Sequence, residues 1–332
     1  MQPPNSIWTR FLQTIAVTYY MFVWSLMVPL SILLTVYIFF YTSYWWAIII
    51  YLIWFIDDFN IPFQGSRYSD WYRNLWIWKY LADYFPIRLV KTADLPPDRN
   101  YIIGSHPHGI FSISFFAHFV TEGTGFSEKF PGITPCAVTL NTQFYLPFRR
   151  ELFMWLGHVS ASPESLDYLL QNPGKGRAIG IAVGGANEAL DSYSGRYDLY
   201  LQKRRGFCKF ALKYGADLVP MIHFGENDVY KQLSCRKGSL LRKIHEKCKS
   251  ITGFYIAWPA LRNMLTWHFG LLPLRRPVTS VMGKPIRVEK IPNPTKEQID
   301  LLHSEYCQTL VNLFEDHKEK YGVPLETHLN IY

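Results

Sequence analysis

At the start of the chain the usual mixing of apolar and polar positions stops. From Phe11 to Ile56 there is no Asp, Glu, Lys or Arg, a run of about 46 residues where one membrane span needs about 20. Two spans joined by a tight turn fit this length, with the turn at Tyr41-Thr42-Ser43 or nearer Pro29. The run is too long for a signal peptide, and no small-residue cleavage site follows it. A buried pair of core helices would carry a polar face, which this run lacks. Arg10 precedes the run, and Arg67, Arg73 and Lys79 follow its acidic exit, Asp57-Asp58. Basic residues beyond both ends predict a hairpin with both termini on the cytosolic side.

After the hairpin the pattern changes. Residues 68–82 are aromatic and basic, which suits an interfacial helix or an amphipathic helix on the core. Short apolar runs then alternate with helical stretches. The strand candidates are Tyr101–Gly104, Cys136–Leu140, Ala178–Val183, Leu218–Phe224 and Val278–Met282. Helices are predicted over 110–121, 163–171, 206–214 and 295–320. The last of these follows a Pro-rich loop, with Leu301, Leu302, Leu310, Leu313 and Phe314 as apolar contacts. Strands alternating with helices predict an α/β domain with a mostly parallel sheet. No repeat and no linker divides it. The expected organisation is a short cytosolic N-terminus (1–10), a transmembrane hairpin (11–57) and one catalytic domain (58–332).

Composition sharpens this picture. Of 332 residues, 49% are hydrophobic and 17% aromatic, with 11 Trp, so lipid is the expected environment. The net charge of +8 fits an anionic membrane surface or an acidic substrate. The cations form no long run, so no nucleic-acid partner is expected. Cys136, Cys208, Cys235, Cys248 and Cys307 are widely spaced and contain no CxxC. They read as free thiols in a reducing compartment.

The candidate chemistry begins at Ser105–Gly109, SHPHG, directly after an apolar run. Pro107 fixes its own φ and biases His106 toward extended backbone. Gly109 permits a tight turn or the close approach of a ligand. In an extended segment His106 and His108 share a side, so one imidazole acts and the other orients. A histidine can take a proton near neutral pH. His108 is the first choice of base and His106 the second, and geometry alone leaves them nearly equivalent. No metal is expected, because His118 and His158 lie at no zinc spacing. In IAVGGANEAL, Gly184-Gly185 form a turn after a strand, and Glu188 is the carboxylate expected to orient the imidazole. Otherwise Glu188 is a first-turn helix residue. No GxSxG is present. A histidine base without a protein nucleophile suggests direct attack by a substrate hydroxyl on an activated acyl group such as a thioester. Backbone N–H groups near Gly109 would then hold the oxyanion. Lys203, Arg204 and Arg205, before a helix, suit an anionic co-substrate, with Arg149-Arg150 as a smaller cluster.

These residues carry a resemblance. DYFPIRLVKTADL, NYIIGSHPHGIFS, FPGITPCAVTL, IAVGGANEAL, RRGFCKFALKYGADLVPMIHFGENDVY, WHFGLLPLRRPVTSVMGKPIRV and LVNLFEDHKEKYG run in order from Asp83 toward the C-terminus. In this the chain resembles the type-2 diacylglycerol acyltransferase family, which includes monoacylglycerol and wax-alcohol acyltransferases. The resemblance implies an α/β acyltransferase-like domain anchored by the hairpin, in a multi-pass protein of the endoplasmic reticulum and the lipid-droplet surface. It implies acyl-CoA as co-substrate, no bound cofactor, and a neutral lipid acceptor, diacylglycerol before monoacylglycerol or a long-chain alcohol. It makes His106–Gly109 the active-site motif, with Glu188 in a GGxxE element, Gly109, Gly184 and Gly185 at the turns, and Lys203, Arg204, Arg205 and Arg149 toward acyl-CoA. The related glycerol-phosphate acyltransferases place an Asp after their histidine. Here Ser112 and Ile113 occupy that region, so the acidic partner must come from elsewhere. Membrane lipids are further partners, and a homo-oligomer is compatible with this reading. The rivals are a non-catalytic lipid-binding or membrane-shaping protein and a hydrolase using the same base on water.

Overall fold

The computed structural model describes residues 6–171, 174, 176–232, 242–243, 246–247, 259–260 and 272–332. Cys235 and Cys248 lie outside them, while Cys136, Cys208 and Cys307 are free thiols.

A seven-stranded sheet organises the chain. Its strands are β1 (Ile87–Lys91), β2 (Tyr101–His106), β3 (Thr134–Thr139), β4 (His158–Ser160), β5 (Arg177–Ala182), β7 (Asp217–Phe224) and β10 (Val278–Met282), where β6 (Asp198–Leu199), β8 (Lys231–Gln232), β9 (Pro259–Ala260) and β11 (Asn330–Ile331) form two short separate ladders. The order is β1-β10-β7-β2-β5-β3-β4. From β7 to β4 every pairing is parallel. β10 runs antiparallel to β7 and parallel to β1. β2 and β7 are buried along their whole length, as strands covered on both faces must be. One face carries a cluster around Trp78, Leu81, Phe116 and Phe119, and the other a cluster around Leu166, Phe207, Leu310 and Phe314.

The helices at Pro163–Gln171, Gly206–Tyr214 and Lys296–His317 match the sequence pattern. The last begins at a Thr295/Gln298 capping box. It buries Leu302, His303, Tyr306, Leu310, Leu313 and Phe314 on one stripe, whereas Leu301, expected as a contact, points outward at 73% exposure. The stretch expected as one helix over 110–121 is instead a turn, a single helical turn Ile113–Phe115 and a π-helical turn Phe116–Val120. The aromatic stretch 68–82 forms two helices, Asp70–Arg73 and Trp76–Tyr84. Tyr72 and Trp78 are buried while Trp71 and Trp76 are exposed, so the stretch serves both core and surface.

The apolar N-terminal run is helical from Ile7 to Tyr41, turns over 42–44, and continues as Trp45–Asp57. Pro29 does not break the first helix. A π-helical segment, Phe22–Leu26, lies just upstream, where a proline disturbs the carbonyl four residues before it. The first half of this helix belongs to the folded domain. Gln13, Ala16, Val17, Tyr20 and Met21 follow helical spacing and are buried, and the Tyr20 hydroxyl donates to the Phe111 carbonyl at 2.8 Å. Beyond it most side chains are exposed or half-buried, and only Ser31 and Ile48 are buried within Met27–Tyr41 and Trp45–Asp57, although Tyr51 donates to Glu151 at 3.2 Å and Phe55 lies under Arg150. Ile7–Tyr41 and Trp45–Phe63 are each long and apolar enough to cross a membrane. Arg73, expected as a flanking surface charge, is fully buried. It donates to the carbonyls of Phe119, Val120 and Leu156 at 3.0, 2.8 and 2.7 Å.

Candidate active site

β2 lies between β7 and β5, and all three run parallel. Their carboxyl ends therefore share one edge, where α/β folds place ligands. His106 is the last residue of β2. Glu188 follows β5 by one helical turn, and Glu226 follows β7.

The extended backbone ends at His106, so strand alternation does not carry through to His108. The His106–Pro107 peptide is cis, and Gly109 holds φ +65°, the left-handed region glycine favours. The two imidazoles differ in surroundings. His106 is fully buried, with Nε2 3.0 Å from the Tyr306 hydroxyl, and burial pushes its pKa down to about 3. His108 is half-buried, with Nδ1 2.9 Å from the Gly109 carbonyl. A carbonyl only accepts, so Nδ1 carries the hydrogen, and in the neutral ring Nε2 holds the lone pair. Burial lowers the His108 pKa, and the bond to the Gly109 carbonyl partly opposes this.

Two buried carboxylates hold this turn through its backbone. Glu188 accepts from the His108 amide with Oε1 and from the Tyr200 amide with Oε2, the second at 3.1 Å. It does not touch either imidazole, as orienting one directly would require. It reaches the backbone because Gly184 makes room: a Cβ there would stand 2.1 Å from Glu188 Oε2. Burial raises the Glu188 pKa to about 7 against the pull of those two amides and of Arg204. Gly185, at φ +59°, opens the helix Gly185–Ala189. Glu226 accepts from the amides of Ile113 and Ser114 at 2.8 and 3.1 Å and from the Ser114 hydroxyl at 2.5 Å. Its burial also raises its pKa. The sequence placed Glu226 in a matching FGE stretch, but nothing in its spacing tied it to a turn 113 residues earlier.

The cations divide. Arg204 is half-buried over the Tyr200 ring, 5.1 Å from its centroid, on the same side as Glu188 and Gly185. Lys203 is exposed, and Arg205 pairs with Asp300 at 2.9 Å. Arg149 is not a surface cation. It is fully buried between the rings of Trp24 and Phe153, at 5.5 and 4.6 Å, and donates to the Trp24 carbonyl at 3.4 Å. Arg150 is equally buried and pairs with Asp58 at 3.2 Å. The Arg149-Arg150 cluster therefore anchors the apolar helices to the domain.

Behind the turn runs a buried chain of hydrogen bonds that the sequence did not reveal. Ser105 meets His223, His223 and His118 each lie 2.7 Å from the Ser280 hydroxyl, and His118 reaches Thr124 at 2.9 Å. His158 stacks on Phe153. Among the described residues no cluster of His, Cys, Asp or Glu could hold a metal ion.

A histidine pair at a parallel-sheet edge, with its turn held by buried glutamates, is an arrangement that can support general-base group transfer. Comparison with known proteins gives the family. The family model described as "Diacylglycerol acyltransferase" matches residues 37–332. Diacylglycerol O-acyltransferase 2 of Danio rerio is 45% identical over 95% of this chain and 87% of its own. The 2-acylglycerol O-acyltransferase 1 of Bos taurus is 42% identical over 97% and 96%. The human 2-acylglycerol O-acyltransferase 3 is 43% identical over 99% and 97%. The chain belongs to the diacylglycerol acyltransferase family and is an acyltransferase. Among solved structures it is similar to the 1-acyl-sn-glycerophosphate acyltransferase PlsC of Thermotoga maritima, at 14% identity and a TM-score of 0.40, over 92% of this chain and 97% of that one.

Proposed function

We propose that this protein moves a fatty acyl group from acyl-CoA to an acylglycerol hydroxyl, with diacylglycerol as the principal acceptor. The observation that carries the mechanism is the His108 ring, whose Nδ1–H is committed to the Gly109 carbonyl. Nε2 takes the proton of the hydroxyl as its oxygen attacks the thioester carbon. Amides near Gly109, ahead of the Ile113 and Ser114 amides that Glu226 engages, hold the developing oxyanion. The intermediate collapses, the C–S bond breaks, and the imidazolium returns the proton to the CoA sulfur. Glu188 acts by fixing the backbone that carries the ring. Arg204, beside Gly185 and Glu188, and its exposed neighbour Lys203 are the cations suited to the CoA phosphates, with Arg205 shared with Asp300. The two near-full-length relatives named 2-acylglycerol O-acyltransferase favour monoacylglycerol as the second reading.

The exposed apolar helices support a membrane protein, and we assign it to the endoplasmic reticulum membrane and the lipid-droplet surface with both termini cytosolic. The test is purified enzyme with labelled oleoyl-CoA and diacylglycerol, monoacylglycerol and fatty alcohol in competition. Labelled triacylglycerol as the main product is expected. Free oleate alone would mean a hydrolase, and no turnover would favour a lipid-binding protein.

A further inference from the structure

Gly104 sits inside β2, where a glycine weakens a strand and marks a close approach. What approaches is Tyr306, from the final helix: a Cβ on Gly104 would stand 2.0 Å from the Tyr306 hydroxyl. Tyr306 is fully buried, with its ring edge-on to Phe207 at 4.9 Å. Its hydroxyl has one hydrogen and donates it to the Gly104 carbonyl at 3.2 Å. Toward His106 Nε2, at 3.0 Å, the same oxygen can then only accept. Nε2 therefore carries the ring hydrogen, and Nδ1 is left as a lone pair. That Nδ1 is buried and has no hydrogen-bond partner. Native structures seldom leave a buried acceptor unpaired, and the exceptions mark functional sites or bound water.

Resting on the acyl-transfer reading above, we propose that Tyr306 is a positioning residue that holds His106 as the Nε2–H tautomer, so that His106 Nδ1 accepts a hydrogen bond from an N–H or O–H of the bound substrate. The donor is either an amide of the pantetheine arm of acyl-CoA or a hydroxyl of the acylglycerol. Proton transfer at His108 is a separate event. Without the Tyr306 hydroxyl the ring can place its hydrogen on Nδ1, where it opposes the substrate's donor.

Ring-15N-histidine enzyme, with the His106 signals assigned through His106→Gln, gives the tautomer directly. The wild type should show a pyrrole-like Nε2 and a pyridine-like Nδ1, with the Nδ1 signal shifting when oleoyl-CoA or diacylglycerol is added. Tyr306→Phe should mix the tautomers and raise one Michaelis constant about tenfold, as expected for a mismatched buried hydrogen bond. Its kcat should change less. A rise for oleoyl-CoA identifies the amide as donor, and a rise for diacylglycerol identifies the hydroxyl. Gly104→Ala, which crowds out the hydroxyl, should reproduce the mixed tautomers. A protonated Nδ1 in the wild type would overturn the proposal, even if Tyr306→Phe failed to fold. Unchanged tautomer and Michaelis constants in a folded Tyr306→Phe would do the same. Absence of ester synthesis by the wild type would instead strike the acyl-transfer reading and leave the tautomer result standing.

Discussion

His108 is fixed at one nitrogen and free at the other, which gives its removal a definite consequence. His108→Ala should lower ester formation by a factor on the order of 10² or more, because a general base contributes about that much. The variant should still fold and reach membranes. Normal turnover in both His108→Ala and His106→Ala would refute a histidine base. The base works unprotonated, and burial lowers its pKa from the usual 6.5. The acid limb of kcat/KM against pH should therefore have its midpoint below 6.5, with a plateau through neutral pH; a midpoint above 6.5 would point to another group. Glu188 makes its own prediction. A carboxylate accepts from two amides at once, whereas a carboxamide in its place offers one acceptor and turns an NH2 toward an N–H. Glu188→Gln should depress kcat with little change in the Michaelis constant for acyl-CoA, and adding His108→Ala should cost little more, since both act through one ring. Independent multiplication of the two losses would separate Glu188 from the base. The folded pKa of Glu188, about 7, lies above its unfolded value, so its proton-linked stability is complete below about 4.5 and is lost as pH rises through 7. The melting temperature of the wild type relative to Glu188→Gln should fall across that window.

At the scale of elements, the strands buried on both faces were plain in the sequence, because apolar runs such as Tyr101–Ile103 and Leu218–Ile222 have no solvent face to interrupt them. β1 and β4 were not. IRLVK alternates with two charged residues because it is an edge strand, and HVS is three residues long. That His108 and Glu188 each follow a strand candidate placed them at one edge of a parallel sheet, while the adjacency of β2 and β5 came only with the fold. The sequence could not say whether a carboxylate reaches a ring or the backbone amide of the same residue, because that depends on the space above Gly184. Arg73 shows the same limit, since a cation beyond an apolar run reads as a membrane flank whether it faces water or three carbonyls. Its guanidinium joins the Asp70–Arg73 helix to the end of the Phe116–Val120 segment and to Leu156. Arg73→Met keeps most of the volume and leaves those carbonyls without their donor, which should destabilise the fold by about 3 kcal/mol or more. Denaturant unfolding of the detergent-solubilised enzyme checks this, and a loss under about 1 kcal/mol would mean that water replaces the guanidinium.

At the scale of the whole molecule, the apolar N-terminal run does two jobs that a sequence profile merges. Residues up to Met21 contribute Ala16, Val17 and Tyr20 to the domain core, while Leu33, Phe40, Ile53 and Ile56 lie bare at 63% exposure or more. An apolar surface of that extent is stable only against lipid or another protein. Both ends of the bare segment return to the helix Arg149–Trp155, where Trp24 lies against Arg149 and Asp58 against Arg150. A flexible linker of about ten residues reaches across such a gap. Replacing residues 28–56 by that linker should therefore leave the domain folded, with a melting temperature lowered by loss of the Tyr51 and Phe55 contacts to Glu151 and Arg150, and should release it from membranes on carbonate washing. Deleting residues 6–57 should instead expose the core face beneath Tyr20 and yield aggregated chain. Retention of the linker variant in the washed membrane pellet would assign anchoring to Ile7, Trp8, Trp71 and Trp76, exposed apolar residues outside the hairpin. A soluble, folded product from the longer deletion would mean that the first helix contributes nothing to the core.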